Sequence, residues 1–183
     1  MVVDASPLPV APRPHPDELI SSWLGRTAAV YDMEVEGLRA SLLRNGDVAP
    51  GGVDVELDSG ERDRIAEAFA LAPECVAALE LRRAWPNLAV DWLRCTDRAR
   101  HALDPLHSCW CPTCLEEGRK AGGAYLDRDT ALPLVLCHRH LRWRYEGCRS
   151  CVPTRGPTFV HINGATELIC PDCRKLLHLS LLH

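Results

Sequence analysis

The sequence has no run of about 18 apolar residues, so an ordinary membrane-spanning helix is not expected. Residues 1–17 carry prolines and charges where a signal peptide has its apolar segment, which argues against export. The Gly-Lys-Ser/Thr loop of nucleotide hydrolases and the His-x-Glu pair of zinc deaminases are also missing. These absences predict a cytoplasmic chain with no membrane partner and no small-molecule substrate.

Cysteine, by contrast, is abundant, with ten residues in a chain of 183. Because a reducing compartment keeps thiols free, metal binding explains these residues better than disulfides do. Cys75 and Cys95 stand apart, and the other eight lie between residues 109 and 173. Within that region, four pairs of cysteine or histidine have the two-residue gap that lets a tight turn aim both side chains at one ion.

A tetrahedral zinc ion takes four thiolate or imidazole ligands, so two such pairs complete one site. Pairing in chain order gives a first site of three cysteines and one histidine: Cys111, Cys114, Cys137 and His140. It gives a second site of cysteines alone: Cys148, Cys151, Cys170 and Cys173. The sequence therefore predicts two structural zinc ions in a tandem zinc-ribbon module.

Spacing alone leaves three alternatives open for these ligands. Cys109 could replace Cys111, His138 could replace His140, and the pairs could interleave, the first with the third and the second with the fourth. Catalysis at the metal is disfavoured, because two complete sets of four ligands leave no open coordination position. Four pairs are also better explained as ligands than as one redox motif. We therefore expect that the protein is not an enzyme.

Three segments are predicted along the chain. Residues 1–16 form a proline-rich extended arm, with five prolines between residues 6 and 16. Residues 17–105 form a helical domain of helix pairs that resemble helix-turn-helix units. Residues 106–183 form the tandem zinc-ribbon module. The predicted fold class is accordingly mainly α with small β.

Apolar residues at spacings of three and four support the helical segment. The first helix is expected to begin near Asp17 and to bury Trp23 as its core anchor, and Asp32 is expected to cap the second helix. A third helix follows residue 59, a fourth opens near Pro73 and continues through residue 81, and one more covers residues 87–94. Because the charges on these helices are mixed in sign, packing or protein docking is favoured over DNA reading.

Charge is distributed unevenly. From residue 106 onward ten Lys or Arg stand against seven Asp or Glu, which leaves eleven against eighteen before that point. Thiolates on two zinc ions would cancel the positive excess of the second part. What remains is an arginine strip opposed only by Glu146, a candidate contact for nucleic acid or a protein partner: Arg139, Arg142, Arg144, Arg149 and Arg155.

The aromatic residues of this strip allow two interpretations. Trp143 and Tyr145 could stack on bases beside the arginines. In a hairpin with one apolar and one solvated face, Leu141, Trp143 and Tyr145 would instead point inward. We favour the inward orientation. Whether the arginines meet nucleic acid or protein stays open.

Three stretches, in this order and spacing, resemble the TniQ family of transposition targeting proteins: LPVAPRPHPDELISSWLGR, CWCPTCLEEG and ALPLVLCHRHLRWRYEGCRSC. In that family a proline-rich arm leads into a helix with a Ser-Trp-Leu core, matched here by Ser21, Ser22, Trp23 and Leu24. Its zinc module has the form CPxCL, Leu-Pro, Cys-x-x-His and Cys-x-x-Cys. The resemblance runs from Pro7 to Cys173.

This resemblance implies a non-catalytic adaptor in DNA transposition. Such proteins couple a target-recognition element, either a DNA site or an RNA-guided CRISPR effector, to the AAA+ ATPase that recruits the transposase. Short forms resemble the kind that cap or contact the ATPase oligomer. The competing hypothesis is a zinc-ribbon or helix-turn-helix transcription regulator, which binds a DNA site without an ATPase.

Overall fold

A computed structural model describes residues 7–43, 52–87, 109–132, 134–151 and 156–179. These residues are helical with small antiparallel sheets, which confirms the predicted fold class. The helices are α1 (Ile20–Val30), α2 (Val35–Leu42), α3 (Ser59–Ala68), α4 (Pro73–Ala77), α5 (Leu81–Ala84) and α6 (Pro112–Lys120). The strands are β1 (Leu136–Cys137), β2 (Arg142–Trp143), β3 (Thr158–Ile162) and β4 (Ala165–Ile169), and β1 pairs with β2 and β3 with β4.

Helix α1 is capped by a residue distant in sequence. Its N-cap position is held by Leu19, whose side chain cannot accept a hydrogen bond from the first turn. The backbone N–H of Ser21 instead donates to Asp54 Oδ1 at 2.7 Å. Burial raises the pKa of Asp54 to about 6, although the hydrogen bonds from Ser21 and Ile20 oppose the rise. The loop before α3 therefore supplies the cap of α1.

Three details of the predicted helices are wrong, the first being that α1 begins at Ile20 and not near Asp17. Glu34, not Asp32, is the N-cap of α2, and Asp32 adopts a left-handed φ of 49°, a conformation that aspartate tolerates in turns. The expected fourth helix divides into α4 and α5, because Glu80 takes an extended ψ of 131° between them. The helix predicted over residues 87–94 falls almost entirely outside the described residues.

A first apolar core is formed by α1, α2, α3 and α4. Trp23 is fully buried there, with its ring centroid 4.1 Å from that of Phe69. The indole N–H of Trp23 donates to the carbonyl of Pro12 at 2.8 Å, and Leu8 N–H donates to the last carbonyl of α3 at 2.8 Å. The described part of the proline-rich arm thus lies along the protein's own helices.

A second core joins the helical part to the cysteine-rich part. Both parts contribute side chains to it. The helical part supplies Leu19, Val55 and Leu81, and they pack against residues of the cysteine-rich part: Trp110, Leu115, Leu126 and Leu168. The predicted boundary at residue 105 lies outside the described residues, and the division into three segments stays a prediction. So does the helix-turn-helix resemblance. Within the described ranges, no helix is both long and apolar enough to cross a membrane.

A buried ion pair within the helical part supports the polar joint between these two parts. Arg26 donates to both carboxylate oxygens of Glu18 at 2.7 Å, and the side chains are 4% and 0% exposed. Ser22 Oγ donates to the same carboxylate at 2.8 Å and accepts from Leu126 N–H at 2.9 Å. Leu19 N–H donates to the carbonyl of Leu126 at 3.0 Å. The start of α1 is therefore hydrogen-bonded to the segment that follows α6.

The β3–β4 hairpin is attached to α1 by an apolar contact. Phe159 of β3 lies over Gly25, so close that a Cβ added at Gly25 would stand 2.7 Å from Phe159 Cδ2. Only glycine admits this approach without displacement of the ring. The hairpin thus lies against the helical part as well as beside its own cysteines.

Candidate metal centres

The first cysteine pair is positioned by the start of α6. Cys111 is the N-cap, Pro112 occupies the first helical position, where its fixed φ suits a helix start, and Cys114 lies in the first turn. Its partners come from the β1–β2 hairpin. Cys137 ends β1, and His140 lies in the turn that leads to β2.

The first cluster consists of Cys111, Cys114, Cys137 and His140, whose donor atoms all lie within 4.8 Å of one another. Nδ1 of His140 is 3.6 Å from Cys111 Sγ, 3.3 Å from Cys114 Sγ and 3.6 Å from Cys137 Sγ. Cys114 Sγ is 3.7 Å from Cys137 Sγ. A tetrahedron with metal–sulfur bonds of about 2.3 Å has edges of about 3.8 Å. The four donors therefore fit one tetrahedral ion.

Glu117 supports this cluster, and the sequence reasoning missed it. Its Oε1 lies 3.0 Å from His140 Nε2, the ring nitrogen that faces away from the cysteines. A carboxylate there fixes the imidazole tautomer so that Nδ1 is free to bind a metal. Because Cys114 and Glu117 are three residues apart on α6, they share a helix face. This three-residue interval is the feature of the sequence from which the role of Glu117 could have been predicted.

The second cluster consists of Cys148, Cys151, Cys170 and Cys173, again with all donor atoms within 4.8 Å of one another. Cys148 Sγ is 3.5 Å from Cys173 Sγ, and Cys151 Sγ is 3.5 Å from Cys170 Sγ. Cys170 directly follows β4, so the β3–β4 hairpin brings Cys170 and Cys173 close to Cys148 and Cys151. These distances also match the edge of a tetrahedral metal–sulfur site.

Thiol acidity in the clusters reflects competition between burial and hydrogen bonding. Burial opposes ionisation of Cys137 and Cys148, but hydrogen bonds from neighbouring backbone N–H groups and side chains outweigh it and lower the pKa of each to about 7. Burial, reinforced by nearby cysteines, raises the pKa of Cys114 and Cys151. One thiolate in each cluster thus forms readily, while full ionisation requires a compensating cation.

The structure groups the predicted ligands in one of the ways that spacing left open. The eight residues group in chain order, not interleaved. Cys109 is buried outside the first cluster, with its Sγ 3.4 Å from Glu146 Oε1. His138 is two-thirds exposed and pairs with Asp129 at 2.9 Å.

The arginine strip does not form one surface. The Arg144 side chain is only 1% exposed, and it donates to Asp129 at 3.3 Å and to the carbonyl of Cys109 at 3.2 Å. Arg139 donates to Glu117 at 3.3 Å. Arg149 lies over the ring of Tyr145, with its guanidinium carbon 5.0 Å from the ring centroid. Arg142 is exposed, and Arg155 lies outside the described residues.

The inward orientation expected for the hairpin side chains is wrong for two of the three. Leu141 is 77% exposed and Trp143 is 67% exposed, whereas Tyr145 is partly buried against the second core. Leu141 lies in the turn between Cys137 and β2 with a left-handed φ of 51°, so the alternation of a strand does not apply to it. Trp143 lies in β2, where alternation places it on the side opposite Arg144, and the buried side belongs to Arg144.

One family model identifies the family of this chain. The family model described as TniQ matches residues 9–153, more than half of the chain. The chain belongs to the TniQ family. No curated protein matches it. The TniQ match includes residues 9–16 of the arm, the whole first cluster and the first pair of the second cluster, and it ends before β3, Cys170 and Cys173.

Proposed function

We propose that this TniQ protein is a non-catalytic adaptor in DNA transposition, which couples target-site recognition to an AAA+ ATPase. The family match over residues 9–153 carries the proposal. The clusters support it, because four protein donors surround each metal position and leave no coordination place for water or substrate. Such sites stabilise a fold and do not activate a nucleophile. The target-recognition element would be either a DNA site or an RNA-guided effector.

The ion proposed for both clusters is Zn²⁺. Sets of four thiolates, or of three thiolates and one imidazole, in a tetrahedral arrangement are its usual structural ligands. Bound zinc would supply folding energy that short segments such as β1 and β2 cannot obtain from a core of their own. Native mass spectrometry should find two zinc ions per chain. Iron, or a single ion, would contradict this assignment.

The physical role proposed for the zinc sites is to hold exposed hairpins in fixed positions. The first cluster ties the β1–β2 hairpin to α6, and the second closes the β3–β4 hairpin, which contacts α1. The second core and the Glu18–Arg26 pair connect these elements to the helices. A partner would thus meet preformed surfaces, which lowers the entropy cost of binding.

The test begins with the neighbouring genes, which should encode an AAA+ ATPase and an integrase-type transposase. That ATPase, purified and loaded with a non-hydrolysable ATP analogue on DNA, is titrated with this chain in an analytical ultracentrifuge. Saturable binding without ATP hydrolysis by the chain alone is expected. Tight binding of the chain alone to a specific DNA site in a mobility-shift assay, with no ATPase binding, would favour the transcription regulator and overturn the proposal.

A further inference from the structure

The β3–β4 hairpin is covered along one edge and open along the other. On the outer edge of β4, the N–H of Ala124 donates to the carbonyl of Thr166 at 2.8 Å, and Ile169 forms a bridge with Leu176. Among the described residues, no backbone group outside the hairpin bonds the outer edge of β3 (Thr158–Ile162). We call this the open edge of β3.

The turn of the hairpin determines which backbone groups lie on the open edge. Asn163 and Gly164 have φ values of 52° and 80°, as in a two-residue type I′ turn. In such a hairpin the residues that flank the turn form a hydrogen-bonded pair, and these pairs recur at every second position. The N–H and C=O groups of Phe159 and His161 therefore point away from β4. Thr166, which is opposite His161, agrees with this pattern, because its carbonyl likewise bonds outside the hairpin.

The side chains of β3 do not protect this edge. Natural sheets keep edge strands from pairing with other chains by placing lysine, other charged residues or proline there. The sequence of β3 is TFVHI, which contains no lysine, arginine, aspartate, glutamate or proline. Its β-branched and aromatic residues are instead those that favour strands. The open edge of β3 is therefore a template on which one more strand can form.

A groove adjoins the start of this edge. It lies between β3, α1 and the turn before α2, and its lining includes Thr158, Phe159, Gly25, Ala28, Met33 and Val35. Its volume of about 70 Å³ exceeds the ~10–15 Å³ that one water molecule needs, so a small side chain can enter it. A strand laid along β3 would direct alternate side chains to the α1 side, where Phe159 lies, and so into this groove.

The charge beside the groove indicates the chemistry of such a strand. Glu34 lines the groove and is exposed, and its neighbours Asp32 and Glu36 are exposed as well. Within the described ranges none of these three carboxylates forms an ion pair. They would repel a phosphate backbone and attract a lysine or arginine side chain. The complementary occupant is therefore a basic protein segment and not a nucleic acid.

We propose that the open edge of β3 and its groove bind an extended segment of a protein partner, an apolar stretch flanked by lysine or arginine. The segment would add a third strand to the sheet by bonding the backbone groups of Phe159 and His161. One of its apolar side chains would occupy the groove, and a basic side chain would lie beside Glu34. This binding depends on the fold and not on the adaptor function, so the two proposals can fail separately.

The probe for this site is a short capped peptide that alternates valine and threonine between two terminal lysines. It is titrated into the isotope-labelled, zinc-loaded chain while the amide NMR signals are followed. Saturable shifts confined to β3 and the groove are expected, with slower hydrogen exchange at the amides of Phe159 and His161, because these amides become bonded. Two control peptides, one with glutamates in place of the lysines and one with a central proline, should bind at least about tenfold more weakly.

The variants for this test are ones that the fold tolerates. His161→Pro removes an outward N–H but keeps the ladder to β4, because an edge strand accepts proline where the N–H faces solvent. His161→Ala is the matched control, since it keeps that N–H. Glu34→Gln removes the carboxylate beside the groove, and the Glu34 side chain makes no capping bond to α2. Glu36→Gln is its control on the first turn of α2, and zinc content verifies that each variant is folded.

Affinity for the lysine peptide is measured in each variant. His161→Pro is expected to weaken binding about tenfold or more, because it removes one backbone hydrogen bond and leaves a group of the peptide unpaired. Glu34→Gln should weaken binding about threefold, with an effect that shrinks as salt rises. His161→Ala and Glu36→Gln should stay within about twofold of the wild type, as substitutions outside an interface do.

Four results would overturn the proposal. Absence of saturable binding by the lysine peptide, or unchanged affinity in His161→Pro, would show that the open edge of β3 does not take a further strand. Equal affinity for the lysine and glutamate peptides would remove the basic segment as its occupant. Protection of the β3 amides without peptide, rising with protein concentration as the mass doubles in an analytical ultracentrifuge, would assign the edge to a second copy of the chain. The ATPase titration tests the adaptor function independently of all four.

Discussion

The two metal clusters have the same spacing of ligand pairs but are set into the protein differently. In the first, Cys111 and Cys137 are buried and His140 is supported by Glu117 on α6. In the second, Cys170 is buried, and its three partners are partly exposed. Cys170 belongs to the second core and its three partner cysteines pack against it, whereas the first cluster borders that core through its sequence neighbours Trp110 and Leu115. The hairpin that the second cluster closes also reaches α1 through Phe159. Ligand pairs of the same spacing thus have different structural roles in the two clusters.

The largest expected effect comes from removing one ligand from each cluster. Cys173→Ala should destroy the fold of the β3–β4 region and lower the stability of the whole chain, because structural zinc contributes on the order of 10 kcal/mol and this cluster packs on the second core. Cys137→Ala should release one zinc and unfold the β1–β2 hairpin but leave the core around Trp23 folded. Zinc per chain and thermal unfolding by circular dichroism measure both. Equal losses of stability would refute the unequal roles.

The polar joint between the helices and the cysteine-rich part is tested with Arg26→Ala. Removing the guanidinium leaves the Glu18 carboxylate buried without its cation, which should lower the free energy of unfolding by about 3–5 kcal/mol. Arg119→Ala is the control: it breaks a more exposed pair with Glu116 and should cost less than about 1 kcal/mol. Urea unfolding of both variants supplies the numbers. Similar small losses would show that the buried pair does not hold this joint.

The joint of the second cluster is tested with Gly25→Ala. The added methyl would meet Phe159 at 2.7 Å, and the displacement of β3 should cost about 1–3 kcal/mol despite the better helix propensity of alanine. Gly37→Ala on α2 is the control, because its methyl would lie 3.5 Å from the flexible end of Met33 and should stabilise by up to about 1 kcal/mol. Hydrogen exchange of β3 and urea unfolding report the effect. Stabilisation by both substitutions would mean that Phe159 moves aside freely.

The ease of predicting these features from sequence differed with their physical origin. Ligand spacing is a local property of a turn, so the eight ligand positions could be proposed from pairs such as Cys111 and Cys114. Helical periodicity likewise indicated the burial of Trp23. Ligand spacing and helical periodicity both depend on residues close together in the sequence, where chain geometry allows few conformations.

Features that depend on distant partners could not be predicted in this way. Arg144 looked like one member of a basic strip, yet Asp129 and the Cys109 carbonyl hold it in the interior. The cap that Asp54 provides for α1 joins residues 33 positions apart. Leu141 lies in a turn with a left-handed φ and is 77% exposed, which strand alternation does not anticipate. Each outcome was set by tertiary contacts that residue order does not reveal.

The smallest expected effect is a change in the zinc affinity of the first cluster alone. Glu117→Gln replaces the carboxylate behind His140 with a neutral amide, which accepts a weaker hydrogen bond from the ring. Zinc affinity of the first cluster should fall about tenfold, as it does when outer partners of metal-bound histidine are weakened, while the second cluster keeps its affinity. Competition with a chromogenic chelator resolves the two release steps.

Glu116→Gln is the matched control on the same helix, because its carboxylate bonds Arg119 and touches no ligand. It should leave both release steps where the wild type has them. If Glu117→Gln also leaves them unchanged, His140 is oriented by the turn between Cys137 and β2 alone. If both zinc-release steps shift together, the two clusters are coupled through α6 and the hairpins. The two clusters would then differ in exposure and not in structural role.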